Sequence, residues 1–372
     1  MTFDFQPSIR LTDILGQRFE YNRFTNKERQ FFLTKNGRSA LVRGLSIIYN
    51  PQKSKILVPD YNCGNEIEAV VKSGHTPVFY PINKGCKVNP ATILNRIDKT
   101  VNAILVTHYN GYPQPIFDIV DLCRKEKIYL VEDCAHVLNT DLNDQPLGSF
   151  GELSIFSPRK QLPIPDGGIL YLNSDHLSAR LNLNRLRKTQ QLLAIFDLVK
   201  PKIKQIFPGK SMGGVLFNEI KYTTISENIN LTDFTEVDYD APMSAISKFL
   251  LPRFNLNQIA KIRRRNFNLL HDRFKNIECI EELFPPPEKT VCPWLYLAIV
   301  PNPWDLFAHL RAARIPCIVF WSFFHRLYPF GQTAVAENLK KHVIGLPIHQ
   351  QISENELDVM AENIRNYFKI KK

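Results

Sequence analysis

Residues 127–172 read KIYLVEDCAHVLNTDLNDQPLGSFGELSIFSPRKQLPIPDGGILYL, and the rest of the chain is organised around them. Residues 128–131 are a short apolar run of β-branched and aromatic side chains, which predicts a buried strand. The run ends in Glu132-Asp133, so a carboxylate stands at the carboxyl end of a strand, the edge where open α/β sheets bind ligands. Further on, Ser157-Pro158-Arg159-Lys160 is followed by Pro163, Pro165 and Asp166-Gly167-Gly168, punctuation that keeps Lys160 out of a regular helix. An aspartate at a strand end and a lysine on a later loop are the pair that a pyridoxal phosphate site requires. The amine holds the cofactor aldehyde covalently, and the acid keeps the pyridine nitrogen protonated.

Working outward, the flanking chain repeats one pattern. A strand at 55–59 precedes a helix at about 65–72 and a strand at 76–80, and a strand at 102–107 precedes a helix at 116–125 with Pro115 near its start. Such units predict a right-handed, mostly parallel sheet with helices on both faces. Upstream, Lys35-Asn36-Gly37-Arg38-Ser39-Ala40-Leu41 is a turn opening onto a helix that continues to Tyr49. A helix start of this kind offers backbone N–H groups and a favourable dipole to a phosphate.

At 372 residues, 44% hydrophobic and 22% charged, the chain has the composition of an ordinary globular protein, long enough for a large and a smaller domain. No apolar run approaches the ~18 residues of a membrane span, and the first residues have no basic-then-apolar leader. Seven scattered cysteines without Cys-x-x-Cys spacing predict reduced thiols in a cytoplasmic protein, with no metal site and no disulfide framework. The formal charge is +11, and residues 180–210 concentrate eight basic side chains against one acid, Asp197. That density would suit an anionic partner, and a solvated basic face explains it at least as well. The same segment carries an apolar helical pattern at 191–199, with Pro201 and Pro208-Gly209 read as breaks. A helix pair packed on the sheet or across a dimer interface is preferred there over a lid or contact with a membrane surface through residues 181–210.

Toward the C-terminus, a helix at 257–274 contains Arg263-Arg264-Arg265. Successive helical residues point to different faces, so a solvated or dimer-facing helix is expected and no nucleic-acid binding. A strand at 294–300, a helix at 303–314 and a strand at 315–320 follow, and Ser353-x-x-Glu356 is a capping box.

The ordered set Glu132-Asp133-Cys134-Ala135-His136, Gly148-Ser149-Phe150-Gly151, Phe156-Ser157, Lys160 and Gly167-Gly168 resembles the core of the DegT/DnrJ/StrS-type sugar aminotransferases, fold-type I pyridoxal phosphate enzymes. The likeness extends over about residues 30–180 and 236–370. It implies a large cofactor-binding domain at 20–245 built on a mostly parallel seven-stranded α/β sheet, with a basic insert at 181–235, and a smaller α/β domain at 246–372. By the same resemblance Lys160 is the catalytic lysine, and Asp133, His136, Ser157, Gly37, Arg38 and Ser39 contact the cofactor. Cys63 stands where relatives stack an aromatic ring on the pyridine and Tyr61 is the nearest ring, so either Tyr61 covers the cofactor or that face is packed differently. His108, Tyr109, Arg159, Trp321 and His325 approach the substrate. The implied reaction moves an amino group from glutamate or glutamine to a keto-sugar, nucleotide-linked, in a homodimer.

Departures qualify the likeness. Ser157 and Lys160 are closer in sequence than in most relatives. Asp240 and Pro242 replace an Asn and an Arg of the family, and a carboxylate near a phosphate would repel it, so that role is not carried over. Lys160 argues against the dehydratase branch, which has histidine there. The alternatives are a cofactor-binding protein without turnover, or an aminotransferase for a non-sugar ketone.

Overall fold

A computed structural model describes residues 4–16, 29–206, 220–226, 229–234 and 238–370. The main sheet contains β1 (Gln30–Thr34), β2 (Lys55–Pro59), β3 (Thr76–Tyr80), β4 (Val101–Thr107), β5 (Tyr129–Cys134), β6 (Leu153–Phe156) and β7 (Gly168–Leu172). Their spatial order is β1-β7-β6-β5-β4-β2-β3. The five strands β2 to β6 run parallel, and β7 pairs antiparallel with both β6 and β1. Every residue of β4 is buried, as expected of a strand covered by helices on both faces. The helices α1 (Gly37–Ile47), α2 (Asn65–Lys72) and α3 (Ile116–Glu126) connect the strands. In α2 the buried Ile67, Ala69 and Val70 form the inner face, while Lys72 is exposed at its last turn.

The pairing places Thr107 of β4 beside Asp133, and Asp133 beside Ile155 of β6. The strand after Lys127 starts one residue later than expected and runs three residues further. Glu132 and Asp133 are therefore buried rungs of the strand, followed by the buried Cys134, not part of the loop beyond it.

A second sheet of Glu281–Glu282, Leu295–Ile299, Val343–Pro347 and Ile318–Val319 is antiparallel throughout. The strand expected at 315–320 shrinks to Ile318–Val319, because only those residues pair with Val343–Pro347. Helix α5 (Leu256–Phe274) and the helix Glu354–Ile370 cover this sheet through Phe267, Leu270, Met360 and Ile364. The capping box at Ser353 forms, with Glu356 accepting the Ser353 N–H at 2.8 Å and Ser353 Oγ accepting the Glu356 N–H at 3.3 Å. One apolar cluster joins both sheets, with Leu57 and Ile104 packed in the same core as Leu295 and Phe320.

In the segment expected as a helix pair, α4 (Lys188–Ile206) runs on through Pro201, giving up the backbone bond that proline cannot donate. The strands Ile220–Ser226 and Ile229–Phe234 then form a hairpin, and the second pairs with Phe323–Phe324. Pro208-Gly209 and residue 20, the expected start of the large domain, lie outside the described residues.

Arg263 is a second correction. It is 1% exposed, and its guanidinium donates to the carbonyls of Trp294 (2.9 Å) and Gln161 (3.1 Å). Far from lying on a solvated face, it ties α5 to the loop that follows Lys160. Arg263→Ala would strand two buried carbonyls and open a cavity. We expect urea unfolding to show a loss of ~3 kcal/mol, against less than ~0.5 kcal/mol for Ala at the exposed Lys261.

Candidate active site

The carboxyl ends of β2, β4, β5 and β6 open onto one edge of the sheet, which also holds the start of α1. Asn36 caps α1, its Oδ1 accepting the Ser39 N–H at 2.9 Å, while Thr34 Oγ1 donates to the Asn36 carbonyl at 3.0 Å. The reason for Gly167-Gly168 lies here. A methyl group on Gly168 would stand 2.0 Å from the Asn36 carbonyl oxygen and 2.7 Å from the Gly37 nitrogen. Gly37 in turn abuts Ser157, whose Cβ would be 3.2 Å from a side chain placed there. Arg38 and Ser39 are both buried, and Ser39 Oγ has no hydrogen-bond partner among the described residues. The turn thus joins a helix N-terminus, two serines and an arginine, groups that together can receive a phosphate. Gly168→Ala forces a methyl into backbone, which cannot yield as a flexible side chain would. We expect a stability loss of ~3 kcal/mol, and with it loss of phosphate affinity measured by calorimetry.

Asp133 is 3% exposed, and its Oδ1 accepts the Ala135 N–H at 2.8 Å. Burial pushes its carboxyl up to about 7, the charge of Glu66 pushes the same way, and Lys160 opposes both. A buried acid in this state is poised to ionise against a cation brought to it. Lys160 closes the 3-10 turn Pro158–Lys160, with its Nζ 5.1 Å from the centre of the Trp294 ring. Trp294 Nε1 donates to the Lys160 carbonyl at 3.1 Å, fixing the turn. The His136 ring packs on Trp294 with centroids 4.4 Å apart, and its Nδ1 accepts the Asn110 N–H at 3.3 Å. Burial and then Lys160 hold its pKa well below the ordinary value, so it is neutral with its proton on Nε2.

Cys63 and Tyr61 part company. Tyr61 is fully buried, stacked on Tyr109 at 5.8 Å and tilted against Trp321 at 5.1 Å, and its hydroxyl has no hydrogen-bond partner among the described residues. The Cys63 thiol donates to Glu66 at 3.1 Å, and Glu66 also accepts the Cys63 N–H at 3.2 Å. Burial and Glu66 push this thiol up to about 12, with Lys160 pulling it down, so the neutral thiol faces the same charges as Asp133.

Two expected substrate residues are used inside the fold. His108 is fully buried, with Nε2 on Glu132 at 3.0 Å and Nδ1 accepting the Gln114 N–H at 3.2 Å. Tyr109 donates its hydroxyl to the Tyr61 carbonyl at 2.6 Å. Both ring nitrogens of His108 and the hydroxyl proton of Tyr109 are thus engaged within the fold. Trp321 is 6% exposed and packs on Phe320, Tyr61 and His136. His325 Nε2 sits 3.4 Å from Glu68, and Arg159 is half-buried on the lysine turn. Asp240, the carboxylate expected to repel a phosphate, pairs with Arg43 on α1.

Three buried charges went unread. Glu132 accepts the N–H groups of Gly148, Phe150 and Gly151 at 2.7–2.9 Å, so the Gly-Ser-Phe-Gly motif is a loop wrapped around one carboxylate. Its glycines are needed because side chains would meet Phe156 at 2.4 Å (from Gly148) or the Leu130 carbonyl at 2.6 Å (from Gly151). His108, Glu132 and Cys134 lie close enough to suggest a metal cluster, but these N–H donors and His108 already occupy the carboxylate. Lys340, on α6 (Ala334–His342), is 1% exposed and donates to the carbonyls of Asn62, Trp321 and Phe323. Burial pulls its pKa down to about 8, and it clamps α6 to the turn carrying Cys63. Glu66 is the third. Its place at the second position of α2 reads as an ordinary helix-start acid, and only the fold brings it to Asp133.

The chain matches the DegT/DnrJ/EryC1/StrS aminotransferase family over residues 18–365. It is 31% identical over 143 residues to GDP-perosamine synthase of Vibrio cholerae, covering 38% of this chain and 39% of that protein. Identity is 25% over 252 residues to the dTDP-4-dehydro-2,3,6-trideoxy-D-glucose 4-aminotransferase of Saccharopolyspora spinosa, 63% of each chain. The chain thus aligns with between two fifths and two thirds of the length of these relatives. Among solved structures, PseC of Helicobacter pylori, an aminotransferase involved in the biosynthesis of pseudoaminic acid, superposes with a TM-score of 0.72 at 15% identity over 99% of this chain and 100% of that one. The match to the family spans nearly the whole chain, from ahead of the phosphate turn to the last helix, and on that ground the protein belongs to the DegT/DnrJ/EryC1/StrS aminotransferase family.

Proposed function

We propose that the protein is a pyridoxal phosphate-dependent aminotransferase that moves an amino group from glutamate or glutamine to a nucleotide-linked keto-sugar, as a cytoplasmic homodimer. The observation that supports this reading is the Asp133 carboxyl buried at the carboxyl end of β5, raised by burial and by Glu66, with the charge of Lys160 on the turn after β6 opposing them. Asp133 would hold the protonated pyridine nitrogen of pyridoxal phosphate as its cation. The Gly37–Ser39 helix start, with the unpartnered Ser39 Oγ and with Ser157 against Gly37, suits the phosphate at the other end. Bound pyridoxal phosphate supplies an electron sink for the negative charge that develops on substrate carbon. Lys160 would hold the cofactor through its Nζ and would carry the proton between carbons. Asp133 would keep the ring-nitrogen proton in place. His136, neutral, packs with Trp294 as an uncharged wall. A sugar nucleotide as acceptor is supported by the relatives named for GDP- and dTDP-linked sugars. Among the described residues no helix is long and apolar enough to cross a membrane.

The test is to load the purified protein with pyridoxal phosphate, add glutamate or glutamine, and follow the cofactor absorbance. The donor should discharge the visible band, and a keto-sugar nucleotide should restore it. Failure to bind the cofactor rejects the reading. Binding without response to any amino donor makes this a cofactor-binding protein instead.

A further inference from the structure

Two acids at this edge of the sheet are buried without a cation. Glu66, in the first turn of α2, is 5% exposed and Asp133 is 3% exposed. Among the described residues neither carboxylate forms an ion pair. Glu68, on the same helix, is different: it pairs with Lys72 at 3.9 Å and lies 3.4 Å from His325 Nε2. Glu66 instead accepts the Cys63 N–H at 3.2 Å and the Cys63 thiol at 3.1 Å, and the sulfur accepts from the Asn65 amide at 3.2 Å. The turn holding it is firmly built. Asn62 Oδ1 accepts the Gly64 N–H at 2.9 Å, and Gly64 takes a left-handed φ of 77° that glycine tolerates. Strands β2 and β5 flank β4, so the turn leaving β2 and the end of β5 stand two strand spacings apart, roughly 10 Å, and the first turn of α2 spans that gap. The cations facing the pair are Lys160, from the turn after β6, and Lys340, from α6, which is committed to backbone carbonyls. The other titratable neighbours, Cys63 and Tyr109, are held neutral by burial.

We propose that Glu66 is a positioning residue for the ring nitrogen of the cofactor, acting through Asp133 so that the two carboxylates form one acid site for the nitrogen's proton. The assignment rests on the aminotransferase reading. Burying one carboxylate without a cation is costly, and placing a second beside it raises the cost, so the pair is complementary to a cation that arrives from outside the fold. In a dry pocket a negative charge behind the hydrogen-bonding acid strengthens its hold on that proton. Glu66 could otherwise be a helix-start acid that merely fastens the Cys63 turn. That role uses the same contacts but makes the opposite demand. Removing a fastener destabilises the empty protein, whereas removing one of two like charges relieves it. The turn needs only an acceptor, which glutamine also supplies.

Glu66→Gln, made alone and beside Asp133→Asn, tests the assignment with two ligands: pyridoxal phosphate and its 1-deaza analogue, in which carbon replaces the ring nitrogen. By calorimetry at pH 8, Glu66→Gln should weaken pyridoxal phosphate on the order of tenfold and leave the deaza analogue within about twofold of the parent. Beside Asp133→Asn the same substitution should cost nothing further, the non-additivity expected of two groups that serve one proton. Urea unfolding at pH 8 should find the cofactor-free Glu66→Gln protein no less stable than the parent. The assignment is overturned if Glu66→Gln binds pyridoxal phosphate like the parent, if it weakens both ligands alike, if its loss persists beside Asp133→Asn, or if the cofactor-free variant is less stable than the parent. The parent separates the two claims. A parent that takes up no pyridoxal phosphate loses the aminotransferase reading and this assignment with it, whereas one that takes it up and responds to amino donors, yet fails any of these comparisons, loses only the role of Glu66.

Discussion

Lys160→Ala should remove the visible absorbance expected of the protein loaded with pyridoxal phosphate and lower turnover by on the order of 10³-fold or more, the scale set by losing a covalent and proton-carrying group together. The fold should survive the change. The Lys160 N–H still donates to Ser157 O at 3.0 Å, and the Lys160 carbonyl still accepts from Trp294 Nε1, because both are backbone contacts. The side chain contributes chiefly a contact with the Trp294 face, worth about 0.5–1 kcal/mol at a partly exposed site. Phosphate contacts at the Gly37–Ser39 turn are independent of the amine, so the variant should still bind pyridoxal phosphate noncovalently, and dialysis should remove it where it leaves the parent loaded. A variant that kept both colour and turnover would show that another amine does the chemistry. The alternatives are then few, since among the described residues the buried lysine, Lys340, is committed to three carbonyls.

What could be read before the fold was known follows from how local each signal is. The strands were legible where burial on both faces makes an unbroken apolar run, as in β4, and the Gly-Ser-Phe-Gly and Gly-Gly motifs were legible as an ordered pattern. Their cause was not, because it is a contact between distant segments: Glu132 inside one loop, and the Asn36–Gly37 peptide against Gly168. The same limit explains Arg263, which sits in a run of three arginines and differs from its neighbours only in facing inward on a helix of period 3.6. His108 misled for the converse reason. A histidine just past a parallel strand stands where ligands bind, but the adjacent strand brings Glu132 to it first. The segment around Pro201 read as broken because proline is a strong local signal, yet a helix already begun on Ala194 and Leu198 tolerates the loss of one bond.

Asp133→Asn should move stability and activity in opposite directions. The Asp133 carboxyl ionises near 3.9 in an unfolded chain and is pushed up to about 7 in the fold by burial and by Glu66. A raised carboxyl pKa means that the unfolded chain releases this proton first. As pH climbs from about 4 to about 7 the cofactor-free protein therefore loses stability relative to a chain without the group, and above about 7 the deficit stays constant. A shift of this size corresponds to at most ~4 kcal/mol. Asparagine keeps an oxygen for the Ala135 N–H and carries no charge, so the cofactor-free variant should be more stable than the parent at pH 8 and equal to it below pH 4. With pyridoxal phosphate bound the advantage reverses, because the parent's carboxylate then has the protonated ring nitrogen as its partner while the amide cannot hold that proton. Turnover should fall about 10²–10⁴-fold. Urea unfolding of the cofactor-free proteins at pH 5 and pH 8, beside turnover of the loaded ones, checks both signs. A variant that is destabilised at pH 8 and still turns over normally would make Asp133 a structural acid and remove the strongest support for the site.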